Sequence, residues 1–172
     1  SQVQNAAGAL MALATVAQRL PLNQAQIRAG LLAATLPGRC QIQPGAVVRI
    51  LDVAHNPQAA AELAANLAAM PCAGRTLAVV GMLADKDLVG TLGRLRDSVA
   101  HWFVASLAVP RGATAEQLTA ALVGAGVGAE CITACRNIAA ALTQAQKAAR
   151  AGDRIVVFGS FHTVAEALAR HV

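Results

Sequence analysis

Hydrophobic and polar positions along the chain follow two different rhythms. From Asn5 to Leu20, Ala, Leu and Met fill a helical run that Pro21 breaks, and Asn23 is placed to cap a second helix over Gln24–Ala33. Leu36-Pro37-Gly38-Arg39 reads as a turn and a linker, and nothing before it has strand character. Beyond it the pattern changes. Val47–Asp52, Thr76–Gly81, Trp102–Ala105 and Arg154–Gly159 are apolar without alternation, as strands buried on both faces are. A weaker strand is expected over Ala129–Thr133. Between these runs the spacing predicts helices over Pro57–Met70, Leu88–Val99, Ala115–Val123, Ile138–Ala149 and Val164–His171. The expected class is α/β: a mainly parallel, Rossmann-like sheet with helices on both faces and right-handed crossovers, preceded by a short helical segment.

Helix-start chemistry supports these boundaries. Asn56-Pro57 sets a capping side chain before a proline at the first helical position, and Leu63, Leu67 and Met70 then share one face. Thr114-Ala115-Glu116-Gln117 has the form of a capping box.

Composition narrows the classes. The 172 residues make one ordinary domain with room for an appendage, long enough to bury roughly 70% of the unfolded surface without staples. With 56% hydrophobic and 13% charged residues the chain is not intrinsically disordered. A mean hydropathy of +0.50 raises a membrane reading, but the surplus is mostly alanine. The longest apolar stretch, Ala6–Ala17, falls short of the ~20 residues a spanning helix needs. No cationic segment precedes it, so it is not a secretory signal either. The expectation is a soluble, cytoplasmic protein with no membrane partner.

A net charge of +5 points to an anionic ligand. With no Tyr, one Trp, three Phe and singly scattered arginines, the stacking platforms of a single-strand binder are lacking. Nucleic acid is therefore set aside in favour of small anions, nucleotides or carboxylates. Cys40, Cys72, Cys131 and Cys135 form no CxxC pair and have no zinc-finger histidine, so they read as idle thiols in a reducing compartment.

In an open parallel sheet, ligands bind beyond the carboxyl ends of the strands. The residues there are Asp52, His55 and Asn56 after the first strand, Asp85, Lys86 and Asp87 after the second, Pro110 and Arg111 after the third, and Ser160, His162 and Thr163 after the last. Three of nine acidic residues and one of two lysines thus gather on one rim. Asp52 suits the two hydroxyls of a ribose diol, or a plain loop cap. His55 suits a donor to a carboxylate, a general base or a satisfied loop histidine. Lys86 is either half of a solvated local ion pair with its flanking aspartates or a point charge for an anion. Ser160 suits an anion at a helix start, or simple capping. His101 and His171 read as structural. No GxxxxGK[ST], GxSxG or HExxH occurs, and the glycine-rich Gly124–Gly128 follows a helix, the reverse of a dinucleotide fingerprint. Spacing alone stops at an α/β anion-binding domain.

Residue for residue the rim goes further. Leu51-Asp52-Val53-Ala54-His55-Asn56-Pro57, Gly81-Met82-Leu83-Ala84-Asp85-Lys86-Asp87 and Phe158-Gly159-Ser160-Phe161-His162-Thr163-Val164-Ala165 resemble the bifunctional dihydrofolate synthase/folylpolyglutamate synthases of the ATP-dependent muramyl ligase superfamily. Pro110-Arg111-Gly112-Ala113-Thr114 fits too, and Asn5-Ala6-Ala7 with Leu36-Pro37-Gly38-Arg39 looks like the end of the family's central domain and its hinge. The resemblance covers essentially the whole chain and implies that residues 1–38 are the helical end of the central ATP-binding domain, and 39–172 the C-terminal glutamate-binding domain.

It implies an ADP-forming ligase that adds L-glutamate to dihydropteroate and folates through an acyl phosphate. This chain would be the closing domain, inactive without the N-terminal and central domains, which would hold the phosphate loop and the Mg2+ ligands. By the same analogy Asp52 would hold the ATP ribose, Arg39 would approach the phosphates and Asn5 the adenine. His55, Asn56, Lys86 and Ser160 would bind glutamate, with Arg111 a weaker candidate for a folate or glutamate carboxylate. No residue of the chain is expected to be a nucleophile or a metal ligand. The alternatives are a non-catalytic nucleotide- or amino-acid-binding module, and a related muramyl-type ligase for another amino acid.

Overall fold

In the computed structural model, which describes residues 2–34 and 36–169, six strands form one sheet: β1 (Gln41–Gln43), β2 (Val48–Leu51), β3 (Thr76–Val80), β4 (His101–Ala105), β5 (Ile132–Cys135) and β6 (Arg154–Phe158). Their order is β1-β2-β6-β3-β4-β5; only the β1–β2 pair is antiparallel. The α/β, mainly parallel expectation holds.

The central strands lack alternation because helices cover both faces. On one face α3 (Pro57–Ala69), α4 (Leu88–Gly93) and α5 (Ala115–Gly124) bring Leu63, Leu67, Leu92, Leu118 and Leu122 onto Ile50, Val80, Trp102, Val156 and Phe158. On the other, α6 (Ile138–Ala148) and α7 (Phe161–Leu168) bring Ile138, Leu142, Val164 and Ala167 onto Leu51, Val79, Phe103 and Val157. Adjacent residues of β6 thus enter opposite cores, and all five are buried.

Departures from the sequence reading have local causes. β1 was not expected: Gln41-Ile42-Gln43 carries no apolar run, and as an edge strand it needs none. The fifth strand lies at Ile132–Cys135, not Ala129–Thr133, because Ala129–Cys131 make a 3-10 turn and pairing with Trp102–Ala105 fixes the register. The helix expected over Leu88–Val99 stops at Gly93; with Gly90 and Gly93 lowering helix propensity, Arg96–Ser98 continue as a 3-10 turn. The last helix starts at Phe161 with Ser160 as its cap, whereas His171 lies outside the described residues. Both predicted caps are present: Asn56 Oδ1 accepts from Ala59 N–H, and Thr114 and Gln117 form the reciprocal box.

The chain divides into two compact units, 1–36 and 37–172, and the sheet belongs to the second. The first contains α1 (Gln2–Thr15) and α2 (Gln24–Ala33), the latter capped by Asn23 with Gln26 returning the bond. α1 ends before Leu20: Thr15 Oγ1 donates back to the Ala12 carbonyl, and the residue before Pro21 is steered out of helical geometry. Among the described side chains of residues 3–34 none is buried; Val3, Met11 and Leu32 are more than 70% exposed. Among the described residues no helix is long and apolar enough to cross a membrane.

Candidate functional site

Parallel strands β2, β6, β3 and β4 stand side by side and end at the same edge, so the loops that leave them form one rim. At its centre the β6 and β3 exits are tied together. Thr163 Oγ1 donates to the Gly81 carbonyl at 2.7 Å, and Thr163 N–H donates to Ser160 Oγ at 3.0 Å. The two hydroxyls lie 2.8 Å apart, and because the Thr163 proton is given to Gly81, Ser160 is the donor between them. Ser160 is 5% exposed, and its proton is spent holding α7 to β3. Gly159, at φ +115°, is required here: a Cβ would fall on the Gly81 carbonyl and the Met82 side chain.

The β2 exit grips the junction that precedes the sheet. Asp52 Oδ2 accepts from Cys40 N–H and Oδ1 from Ala54 N–H, both at 2.8 Å, while Val53 N–H donates to the Gly38 carbonyl at 2.8 Å. Gly38 (φ +70°) and Cys40 (φ +48°) both take left-handed backbone, kinking the segment on either side of Arg39. The Arg39 guanidinium then lies over the Phe161 ring, 6.0 Å from its centroid. Burial pushes the Asp52 carboxyl above the usual aspartate range, against the pull of the Cys40 and Ala54 N–H groups and of the Arg39 charge, with Glu62 adding to the rise.

His55 Nδ1 lies 2.9 Å from the Val53 carbonyl. A carbonyl only accepts, so Nδ1 carries the proton and Nε2 is the nitrogen open to a ligand. Asn56, beside it, is occupied as the cap of α3.

The β3 and β4 exits are laced by backbone bonds. Ala84 N–H donates to the Arg111 carbonyl at 2.7 Å and Ala113 N–H to the Met82 carbonyl at 2.9 Å. Across this lattice Arg111 Nη1 meets Asp85 Oδ2 at 2.7 Å, and Asp87 Oδ1 caps α4 by accepting from Gly90 N–H at 2.8 Å. The local ion pair considered for Lys86 therefore does not form: one flanking aspartate goes to Arg111, the other to a helix start. Among the described residues Lys86 has no carboxylate partner, and it is half-exposed on the rim.

Asp52, His55, Lys86 and Arg111 all stand on this one rim, with Arg39 held beside Asp52. Asn5 is an exposed position of α1, in the other unit. The Asn56 and Ser160 side chains are engaged in capping. Sequence reasoning placed Asp85 and Thr163 on the rim but not their partners, Arg111 and the Gly81 carbonyl, and it missed Phe161, which is 62% exposed beneath Arg39. An aromatic directly after the Gly159-Ser160 helix start was the readable signal for Phe161. Among the described residues no group of three His, Cys, Asp or Glu is arranged to hold a metal ion. The four cysteines are free.

This geometry has known counterparts. Residues 38–161 match the family described as Mur ligase, glutamate ligase domain. The chain is 46% identical over 164 residues to the dihydrofolate synthase/folylpolyglutamate synthase of Escherichia coli (strain K12), covering 95% of this chain and 37% of that protein. A structure of E. coli FolC in complex with DHPP and ADP superposes with a TM-score of 0.85 at 45% identity, over 96% of this chain and 38% of the other. A bifunctional folylpolyglutamate synthase/dihydrofolate synthase with Mn, AMPPNP and L-glutamate bound superposes with a TM-score of 0.79 at 45% identity, over 87% of this chain and 35% of that one. The chain thus spans little more than a third of the length of these relatives.

Proposed function

The chain belongs to the Mur ligase family as its glutamate ligase domain, and from that premise we propose that it is the C-terminal, closing domain of an ATP-dependent ligase that joins L-glutamate to dihydropteroate and to folates. Residues 39–172 form the glutamate-binding domain, and residues 1–38 are the helical end and hinge of the central ATP-binding domain. The bare helical pair supports this second assignment, since it buries none of its described side chains and needs a larger body to pack in. The ligase works in the cytoplasm, where ATP is supplied, and its Mg2+ ligands belong to the N-terminal and central domains.

The observation that carries the reading is Lys86, a rim cation with no carboxylate partner among the described residues. In the reaction a substrate carboxylate takes the γ-phosphoryl group of ATP, giving an acyl phosphate and ADP. The glutamate amine then attacks the acyl carbon, a C–N bond forms, phosphate leaves and the amine gives up a proton. Lys86 binds a glutamate carboxylate as a point charge, and the open Nε2 of His55 holds the amino acid from the neighbouring loop. Asn56 and Ser160 serve the site by fixing the loops on which His55 and Lys86 stand. Arg39, stacked on Phe161, faces the nucleotide phosphates, with Asp52 beside it for the ribose and Asn5 for the adenine. Closing the domain aligns the amine with the acyl phosphate and shields that intermediate from water.

The test is ADP release by the full-length ligase across an amino-acid panel with dihydropteroate or a folate as acceptor. Release that requires glutamate supports the reading; equal release with another amino acid, or none with either acceptor, overturns it.

A further inference from the structure

We propose that Arg111 is a positioning residue, which engages Asp85 so that Lys86 stays free for the incoming carboxylate. The inference rests on the reading of Lys86 as the glutamate-binding cation. Asp85 is the immediate neighbour of Lys86 in a half-exposed loop, so an unengaged Asp85 is the nearest anion available to that lysine. Asp87, the other neighbour, is held by Gly90 N–H at 2.8 Å. Among the described residues only Arg111 holds Asp85, at 2.7 Å, and it reaches it from a loop joined to the β3 exit by the Ala84–Arg111 and Ala113–Met82 backbone bonds.

The pair is a poor stabiliser. Its side chains are 67% and 39% exposed, and exposed pairs contribute little to folding. Arg111 also sits at φ +66°, a backbone region unfavourable for a long side chain. A surface pair held at such a conformational cost is better explained by what it does to the charge between the two aspartates. Arg111 takes one carboxylate and the α4 cap engages the other, leaving Lys86 without a carboxylate partner among the described residues. This assigns Arg111 a role other than direct contact with a folate or glutamate carboxylate.

The experiment measures the glutamate KM and kcat of the full-length ligase for Arg111→Asn, Lys86→Ala, the two combined, and Arg111→Asn with Asp85→Asn. Asparagine tolerates the positive φ, so loss of charge is separated from backbone strain. Arg111→Asn should raise the glutamate KM about two- to fivefold with kcat little changed, the effect of one exposed charge pair. In the Lys86→Ala background it should add nothing, and Asp85→Asn should return the KM of Arg111→Asn towards that of the parent. A KM rise that persists with Asp85→Asn, or that adds fully to Lys86→Ala, would mean that Arg111 touches the substrate itself and would overturn the inference. So would an unchanged KM for Arg111→Asn. If Lys86→Ala also leaves the glutamate KM unchanged, the reading of the site has failed, not merely the role of Arg111.

Discussion

Asp85 pairs with Arg111, 26 residues along the chain, and not with Lys86 beside it. That choice of partner leaves Lys86 with no carboxylate partner among the described residues, and the functional reading is built around it.

Replacing Lys86 by Ala in the full-length ligase should raise the glutamate concentration for half-maximal ADP release by about 10–100-fold, the range for a lost hydrogen bond to a charged group. The nucleotide requirement should stay as it was. Glutamate kinetics that do not move would remove Lys86 from the site.

Asp52→Asn replaces one of two backbone-accepting oxygens with a donor, setting an N–H against that of Cys40 or Ala54. A destabilisation of about 1–3 kcal/mol is expected in urea unfolding of this chain. In the full-length ligase the same change should weaken nucleotide binding, because the kink carrying Arg39 loosens. A variant whose nucleotide affinity matches the parent would reduce Asp52 to a structural loop residue.

Acid should weaken the fold through Asp153. The N–H groups of Arg75 and Arg150 and the Arg75 guanidinium hold its carboxyl down at about 2. Because the folded value lies below the ordinary aspartate value of about 3.9, the native state favours the ionised form. Its contribution is complete above that unfolded value and drains away as pH falls towards 2. Urea midpoints of the parent and of Asp153→Asn should therefore differ clearly at pH 6 and converge between pH 4 and pH 2; a constant gap would count against this assignment.

Gly159→Ala should cost more than about 2 kcal/mol in chemical denaturation, since φ +115° disfavours any side chain and the Gly81 carbonyl blocks the added carbon. Ser160→Ala, by contrast, removes a cap and should cost about 1 kcal/mol. A Gly159 variant as stable as the parent would show that the β6 and β3 exits can part.

The parallel sheet and the rim were legible because their signals are local: unbroken apolar runs, then Asp52-Val53-Ala54-His55, Asp85-Lys86-Asp87 and Gly159-Ser160 at the strand ends. β1 was not, because an edge strand of Gln-Ile-Gln lacks hydrophobic periodicity, and β5 was misplaced because its register is decided by β4. The choice of Arg111 over Lys86 as partner of Asp85 depends on how two loops meet after folding. Burial of Ser160 likewise depends on Thr163 and Gly81, which converge only when α7 docks beside β3.

Strand β6 comes last of the six in sequence yet lies between β2 and β3. Until it is in place, the β2 and β3 edges that it joins have no strand between them to pair with. Residues 154–158 are the keystone of the sheet: without them two strand edges stay unpaired, and closing it needs contacts between segments about a hundred residues apart, the non-local kind that slows folding.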